Sequence, residues 1–155
     1  MESQVGFTTT ELIAATGGHY TESRMAKFQD VDAAGIVFFP RLFEYFHDAY
    51  IAFLHSRHIR VDEVLTARTW AAPLRRADAE FLRPIRFGDD LSVSIVKARV
   101  VGSELTVGFR IAHTKTEKVA AVGWTLSVFV TPGNFRRMDV PAEVGEAFRP
   151  IGQQS

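Results

Sequence analysis

Asp30 and Asp32 stand two residues apart, and Gly35, Val37, Phe38, Phe39 and Pro40 follow at once. A carboxylate can act as a nucleophile or take a proton from water. Proline favours a first helical turn, so Pro40 predicts a helix start. Helix N-termini present unpaired N–H groups and a partial positive charge. An acid and a set of polarising donors are thus brought together by local sequence. Each acid also has a structural use, because Asp in a loop commonly closes a turn or caps a helix. Two neighbouring carboxylates can split a pKa pair. A structural role, bonding loop amides, is favoured for Asp30; for Asp32 the residues alone leave both the turn role and a chemical role open. Gly35 supplies either a backbone geometry or a close approach that a Cβ would block.

The elements around this stretch follow from periodicity. Leu42, Phe43, Phe46, Ala49, Tyr50, Phe53 and Leu54 recur at helical spacing on one broad face. Arg41, Glu44, Asp48 and His55 fall opposite, where solvation explains Glu44 and Asp48. His47 flanks the apolar face and approaches a pocket there; a packing position is the competing use. A helix this apolar must be covered by a sheet or other helices. Tyr20 to Phe28 reads as a strand, with Met25 and Phe28 out of step. Trp70 to Arg83 reads as a second strand, with Pro73 near its start. Leu91, Val93 and Ile95 alternate, then the phase shifts to Val96, Ala98 and Val100, which predicts a bulge. Leu105 to Ile111 and Val122 to Val130 alternate cleanly, joined by a turn over Thr114 to Glu117. Val61 to Leu65 and a segment from Asp139-Val140-Pro141 predict short helices. Short turns between strands imply antiparallel pairing. The order is strand, long helix, four strands: an α+β protein. Thr10 to Ala15 could form a short helical turn, but residues 1–18, ending in Gly17-Gly18, are expected to be a flexible extension, and 19–150 a single domain.

Asp32-Ala33-Ala34-Gly35-Ile36-Val37-Phe38-Phe39-Pro40 resembles the active-site segment of the 4-hydroxybenzoyl-CoA thioesterase family, whose pattern is roughly D-x-D-x-x-G-[IV]-[VY]-[FYW]-[FH] between a first strand and a long helix. The resemblance is strongest from Phe28 to Tyr50 and continues in strand order to about Val130. Val31 replaces the commoner Thr or Cys, and Leu42 a common Tyr; the acid, the glycine and the aromatic pair are retained. The resemblance implies the hotdog fold, an antiparallel sheet wrapped around one long helix. It implies an acyl-CoA thioesterase needing no cofactor. Thioester hydrolysis needs a nucleophile or base and stabilisation of the carbonyl oxygen as it becomes negative. In the family the second acid does the first job, which maps onto Asp32, as nucleophile or general base. An amide at the helix start, here most nearly Phe39, does the second. The family's strand matching Ala72-Pro73-Leu74-Arg75-Arg76 borders the acyl pocket, and Arg75 and Arg76 could meet CoA phosphates. Gly35, Val37, Phe38, Pro40, His47, Leu74, Arg75 and Arg76 are therefore the substrate-binding candidates, with ordinary core as the competing use of Phe38 and Phe39. His47-Asp48-Ala49-Tyr50 and Pro73-Leu74 resemble the branch that cleaves 1,4-dihydroxy-2-naphthoyl-CoA. An aromatic acyl-CoA is the expected substrate. Short-chain acyl-CoA, an acyl-carrier-protein thioester, or a non-catalytic acyl-binding module are the alternatives.

Composition narrows the classes. Lys+Arg and Asp+Glu are both 18, so the chain lacks the basic excess that nucleic acid or an anionic membrane would want. With no cysteine, disulfides, thiolate catalysis and Cys metal sites are excluded. His55 and His58 are spaced for a metal without a further ligand, so no metal site is expected. No stretch reaches membrane-span length, and the N-terminus lacks a signal-peptide pattern; a cytoplasmic protein is expected. A neutral, Phe-rich chain is prone to self-association. The family pairs protomers with the site at the dimer interface, so a homodimer or homotetramer is expected.

Overall fold

The long helix runs from Phe39 to Ser56 (α2), with Pro40 in its first turn. Its apolar face buries Leu42, Tyr45, Phe46, Ala49, Tyr50, Phe53 and Leu54. Each side chain of that size contributes about 1.5–3 kcal/mol on burial, so this face fixes where the helix lies. The computed structural model describes residues 4–16 and 20–152. Around α2 lie β1 (Tyr20–Met25), β2 (Leu74–Phe81), β3 (Asp90–Val101), β4 (Glu104–His113) and β5 (Val119–Val128). They form one antiparallel sheet in the order β1-β3-β4-β5-β2. This is the sheet around one long helix that the resemblance implies. Phe46 stacks on Phe109 of β4, with ring centroids 4.7 Å apart. A Cβ on Gly123 of β5 would run into the Phe46 ring and the Asp78 carbonyl, so glycine permits the close approach of helix and strand.

The phase shift after Ile95 is a bulge, since β3 slips register against β4 between Ile95 and Lys97. β1 ends at Met25, where the alternation fails, and Phe28–Asp30 forms a 3-10 turn. β2 begins only after Pro73, which has no N–H to give a ladder. Val61–Ala67 (α3) and Ala142–Gly152 (α4) supply the two short helices.

Residues 4–16 differ from the expected loose extension. Thr9–Ala14 is a helix (α1) held by a capping box between Thr8 and Glu11. Leu12 and Phe7 bury against Val122, Trp124 and Leu126 on the sheet face away from α2. Arg110 Nη1 donates to the carbonyls of Leu12, Ile13 and Ala15 at 3.1, 3.1 and 2.8 Å, closing the helix end. Gly17 and Gly18 lie outside the described residues. No helix among the described residues is long and apolar enough to cross a membrane.

Candidate active site

The segment between β1 and α2 folds into a tight turn carrying Asp32. Asp32 N–H donates to the Ile36 carbonyl at 3.0 Å, and Gly35 N–H to the Asp32 carbonyl at 2.9 Å. Gly35 takes φ +79°, a left-handed geometry that favours glycine, and nothing lies within 4 Å of where its Cβ would sit. Its role here is backbone geometry. The Asp32 side chain is exposed, and its Oδ1 accepts from Ala34 N–H at 2.8 Å. That bond fixes the carboxylate on the turn. Oδ2 accepts from no described residue.

Asp30 lives differently. It is 4% exposed, and its Oδ2 accepts from Tyr45 Oη at 2.6 Å and Lys27 N–H at 3.0 Å. Its carbonyl accepts from Phe38 N–H at 2.8 Å. Burial opposes its ionisation, but the bonds from Tyr45 and Lys27, with Arg24 and Arg41 nearby, outweigh it and hold the pKa below the usual carboxylate value. The same contact works on Tyr45, whose pKa is raised first by burial and then by the Asp30 carboxylate. Asp30 thus ties the start of the loop to the entry of α2.

Phe39 is the first residue of α2 and Phe38 its N-cap, without a side-chain cap. By position the Phe39 N–H has no intrahelical acceptor, and Pro40 has no N–H at all. Phe38 and Phe39 are 47% and 61% exposed, and their rings meet edge to face at 5.2 Å. They are not core. Together with Asp32, Ile36 and Val37 they line a cleft of about 470 Å³. The far wall is Phe81 to Ile85, where β2 ends. Backbone bonds bring the two walls together: Val37 N–H donates to the Ile85 carbonyl at 2.8 Å, and Ile36 bridges Arg86.

The remaining candidates lie elsewhere in the chain. Pro40 sits behind Phe39 in the first helical turn and does not line the cleft. His47 is exposed, beside the Tyr50 ring at 5.9 Å. Eight residues along α2 place it about 12 Å from Phe39. Leu74, Arg75 and Arg76 open β2, roughly 20 Å along the strand from Phe81. Arg75 pairs with Glu104 at 3.1 Å, and Arg76 lies 5.8 Å from the Trp124 ring centroid. Glu44 and Asp48 are taken up by Arg41 and Arg24, at 2.9 and 2.6 Å. A larger groove of about 650 Å³ lies between β3 and α4 and holds no residue of the Asp32 segment. Among the described residues no group of three acid, His or Cys side chains is placed to hold a metal ion.

Residues 26–148 match the Thioesterase-like superfamily. The chain belongs to this family of thioester hydrolases. It is 29% identical over 125 residues to the 1,4-dihydroxy-2-naphthoyl-CoA hydrolase of Nostoc punctiforme, covering 81% of this chain and 83% of that protein. The fold is similar to a crystal structure of a 1,4-dihydroxy-2-naphthoyl-CoA thioesterase from Synechocystis, with TM-score 0.79, 22% identity and coverage of 85% of this chain and 96% of the other. It is also similar to a gentisyl-coenzyme A thioesterase, with TM-score 0.72, 23% identity and coverage of 83% and 98%. The architecture is the hotdog fold. The family match begins after α1, so the segment that covers the outer sheet face lies outside it.

Phe81, Leu82, Arg83, Pro84 and Ile85 were not identified from sequence. Their place depends on long-range pairing, with Leu82 and Arg83 N–H both donating to the Ala120 carbonyl, at 2.8 and 3.0 Å. The turn signals Pro84 and Gly88 mark where the strand ends, not what it faces.

Proposed function

We propose that the chain hydrolyses an aromatic acyl-CoA, of the 4-hydroxybenzoyl-CoA or 1,4-dihydroxy-2-naphthoyl-CoA kind, to the free acid and CoA. The observation that carries this reading is an exposed Asp32 carboxylate in an aromatic-walled cleft that also includes the first residue of α2. Asp32 attacks the thioester carbon, or takes a proton from the water that does. The carbonyl π electrons move onto oxygen, where the Phe39 N–H stabilises the charge. As the carbonyl reforms, the C–S bond breaks and CoA leaves as the thiolate. If Asp32 attacked, water then cleaves the acyl-enzyme anhydride. Phe38, Phe39 and Phe81 give an aryl group flat surface for stacking. Val37 and Gly35 shape the turn beneath it. The names of the relatives point to the same substrate class, and the reading includes a cytoplasmic enzyme with residues 19–150 as its catalytic domain.

The reading also includes a homodimer, or a tetramer built from dimers. β2 is an edge strand, exposed along nearly its whole length. A free edge with Leu74 and Phe81 uncovered invites a second strand. Antiparallel pairing of two β2 edges sets the start of one beside the end of the other. Leu74, Arg75 and Arg76 of a second copy then approach the cleft, where the arginines suit CoA phosphates.

Thiol release from a panel of hydroxybenzoyl-CoA, phenylacetyl-CoA, short-chain acyl-CoA and palmitoyl-CoA tests the substrate class. Aryl thioesters should show the highest kcat/KM; a clear preference for palmitoyl-CoA would remove the aryl assignment. Sedimentation at micromolar concentration should give at least a dimer, and a compact monomer would remove the interface.

A further inference from the structure

The cleft is lined by apolar side chains with two exceptions, Asp32 and Arg83. These opposite charges are not paired, since no Asp32 oxygen lies within 4.0 Å of an Arg83 nitrogen among the ion pairs of the described residues. Arg83 is held at both ends. Its backbone N–H donates to the Ala120 carbonyl at 3.0 Å, and its Nη1 donates to the Val119 carbonyl at 2.6 Å. Pro84 follows and fixes the chain direction. A guanidinium carries five N–H donors in a rigid fork. One contact anchors the fork on β5, and no described carboxylate takes the rest.

From this geometry we infer that Arg83 is a specificity-determining residue. It recognises an oxygen substituent, a hydroxyl, phenolate or carboxylate, on the aromatic acyl group whose thioester carbon lies at Asp32. The inference rests on the thioesterase reading above and adds the polar requirement at the acyl end. An acyl group entering the cleft displaces water from both charges. Asp32 meets the reacting carbon, whereas the Arg83 donors not bonded to Val119 lose their water without replacement unless the acyl group brings an acceptor. Arg83 is exposed in the free protein, so the cost arises on binding: a donor that the ligand desolvates and leaves unpaired discriminates against the analogue lacking the oxygen. A flat ring with an oxygen held away from the thioester meets both charges at once; a saturated alkyl chain meets only one.

The test compares 4-hydroxybenzoyl with benzoyl thioesters. Each is supplied both as the CoA thioester and as the N-acetylcysteamine thioester, which lacks the nucleotide and phosphates. Wild type, Arg83→Gln and Arg83→Lys are assayed, with melting temperatures taken alongside. Arg83→Gln should lower kcat/KM for the hydroxylated substrate by about 10- to 100-fold, the scale of a hydrogen bond to a charged group. Benzoyl turnover should fall by clearly less, so that the ratio of hydroxybenzoyl to benzoyl kcat/KM drops. The selectivity change should be the same on both thiol carriers, because the contact is to the acyl group. Arg83→Lys keeps the charge and should retain part of the preference, which answers the case of an unstable Gln variant. Equal loss on both acyl groups, or an effect confined to CoA thioesters, overturns the assignment of Arg83 to the acyl oxygen and leaves the thioesterase reading standing. No thiol release from any substrate by wild type overturns both.

Discussion

Asp30 and Asp32 are the same residue type two positions apart, and the fold gives them opposite work. Asp30 is buried under the loop, bonded by Tyr45 and Lys27, with Arg41 Nε 3.9 Å away. Asp32 is exposed on a tight turn, and among the described residues its carboxylate is hydrogen-bonded by the Ala34 amide alone. One spends its acceptor capacity inside the protein; the other has an oxygen, Oδ2, that accepts from no described residue. The difference arises from the 3-10 turn at Phe28–Asp30, which directs Asp30 inward before the chain reverses at Asp32. On the proposed function, the carboxylate suited to chemistry is the one left with little else to do.

Exchanging the carboxylates for amides separates these roles. Asp32→Asn removes a charge that no described side chain uses. We expect kcat to fall by about 10²- to 10⁴-fold, the usual loss for a general base, with the melting temperature almost unchanged. Tyr45→Phe should do the reverse, taking a donor from a buried carboxylate at a cost of about 1.5–3 kcal/mol in denaturant unfolding. Its kcat should fall much less than that of Asp32→Asn.

The third expectation is a pH dependence. The folded pKa of Asp30 lies below its ordinary value. Its contribution to stability is therefore present above the unfolded pKa of about 3.9 and is lost as pH falls through the lower folded value. Wild type should lose melting temperature more steeply than Asp30→Asn as pH falls below about 4. Parallel curves would show that the buried carboxylate gains nothing from its partners. The smallest effect is expected for Gly35→Ala, at about 1–2 kcal/mol from the left-handed φ alone. The space around that position is open, so a larger loss would contradict the absence of contacts there.

Much of this site was legible locally. The Asp32 turn, the helix opening at Pro40 and the bulge after Ile95 are written in neighbouring residues, and periodicity reads neighbours well. His47 lies near the apolar stripe, and its eight-residue separation from Phe39 already sets it about 12 Å along the helix axis from the turn. Leu74 to Arg76 sit at the other end of β2 from the cleft. Phe81 to Ile85 became cleft wall through pairing with β5 and the contact between Val37 and Ile85, which no local pattern carries. The N-terminal helix had a readable signal in Thr8-x-x-Glu11, a capping box. Its docking depends on Trp124 and Arg110, a hundred or so residues away, and could not be read beside it.

The most direct measurement sets binding against turnover at Asp32. A non-hydrolysable thioether analogue of hydroxybenzoyl-CoA is titrated calorimetrically into wild type and Asp32→Asn, and kcat is measured on the same preparations. If Asp32 acts on the reacting carbon, the Kd values should agree within about threefold while kcat falls by at least a hundredfold, the signature of an interaction made only in the transition state. Near-wild-type turnover by the folded variant, or a Kd that weakens in step with kcat, would contradict a chemical role for Asp32.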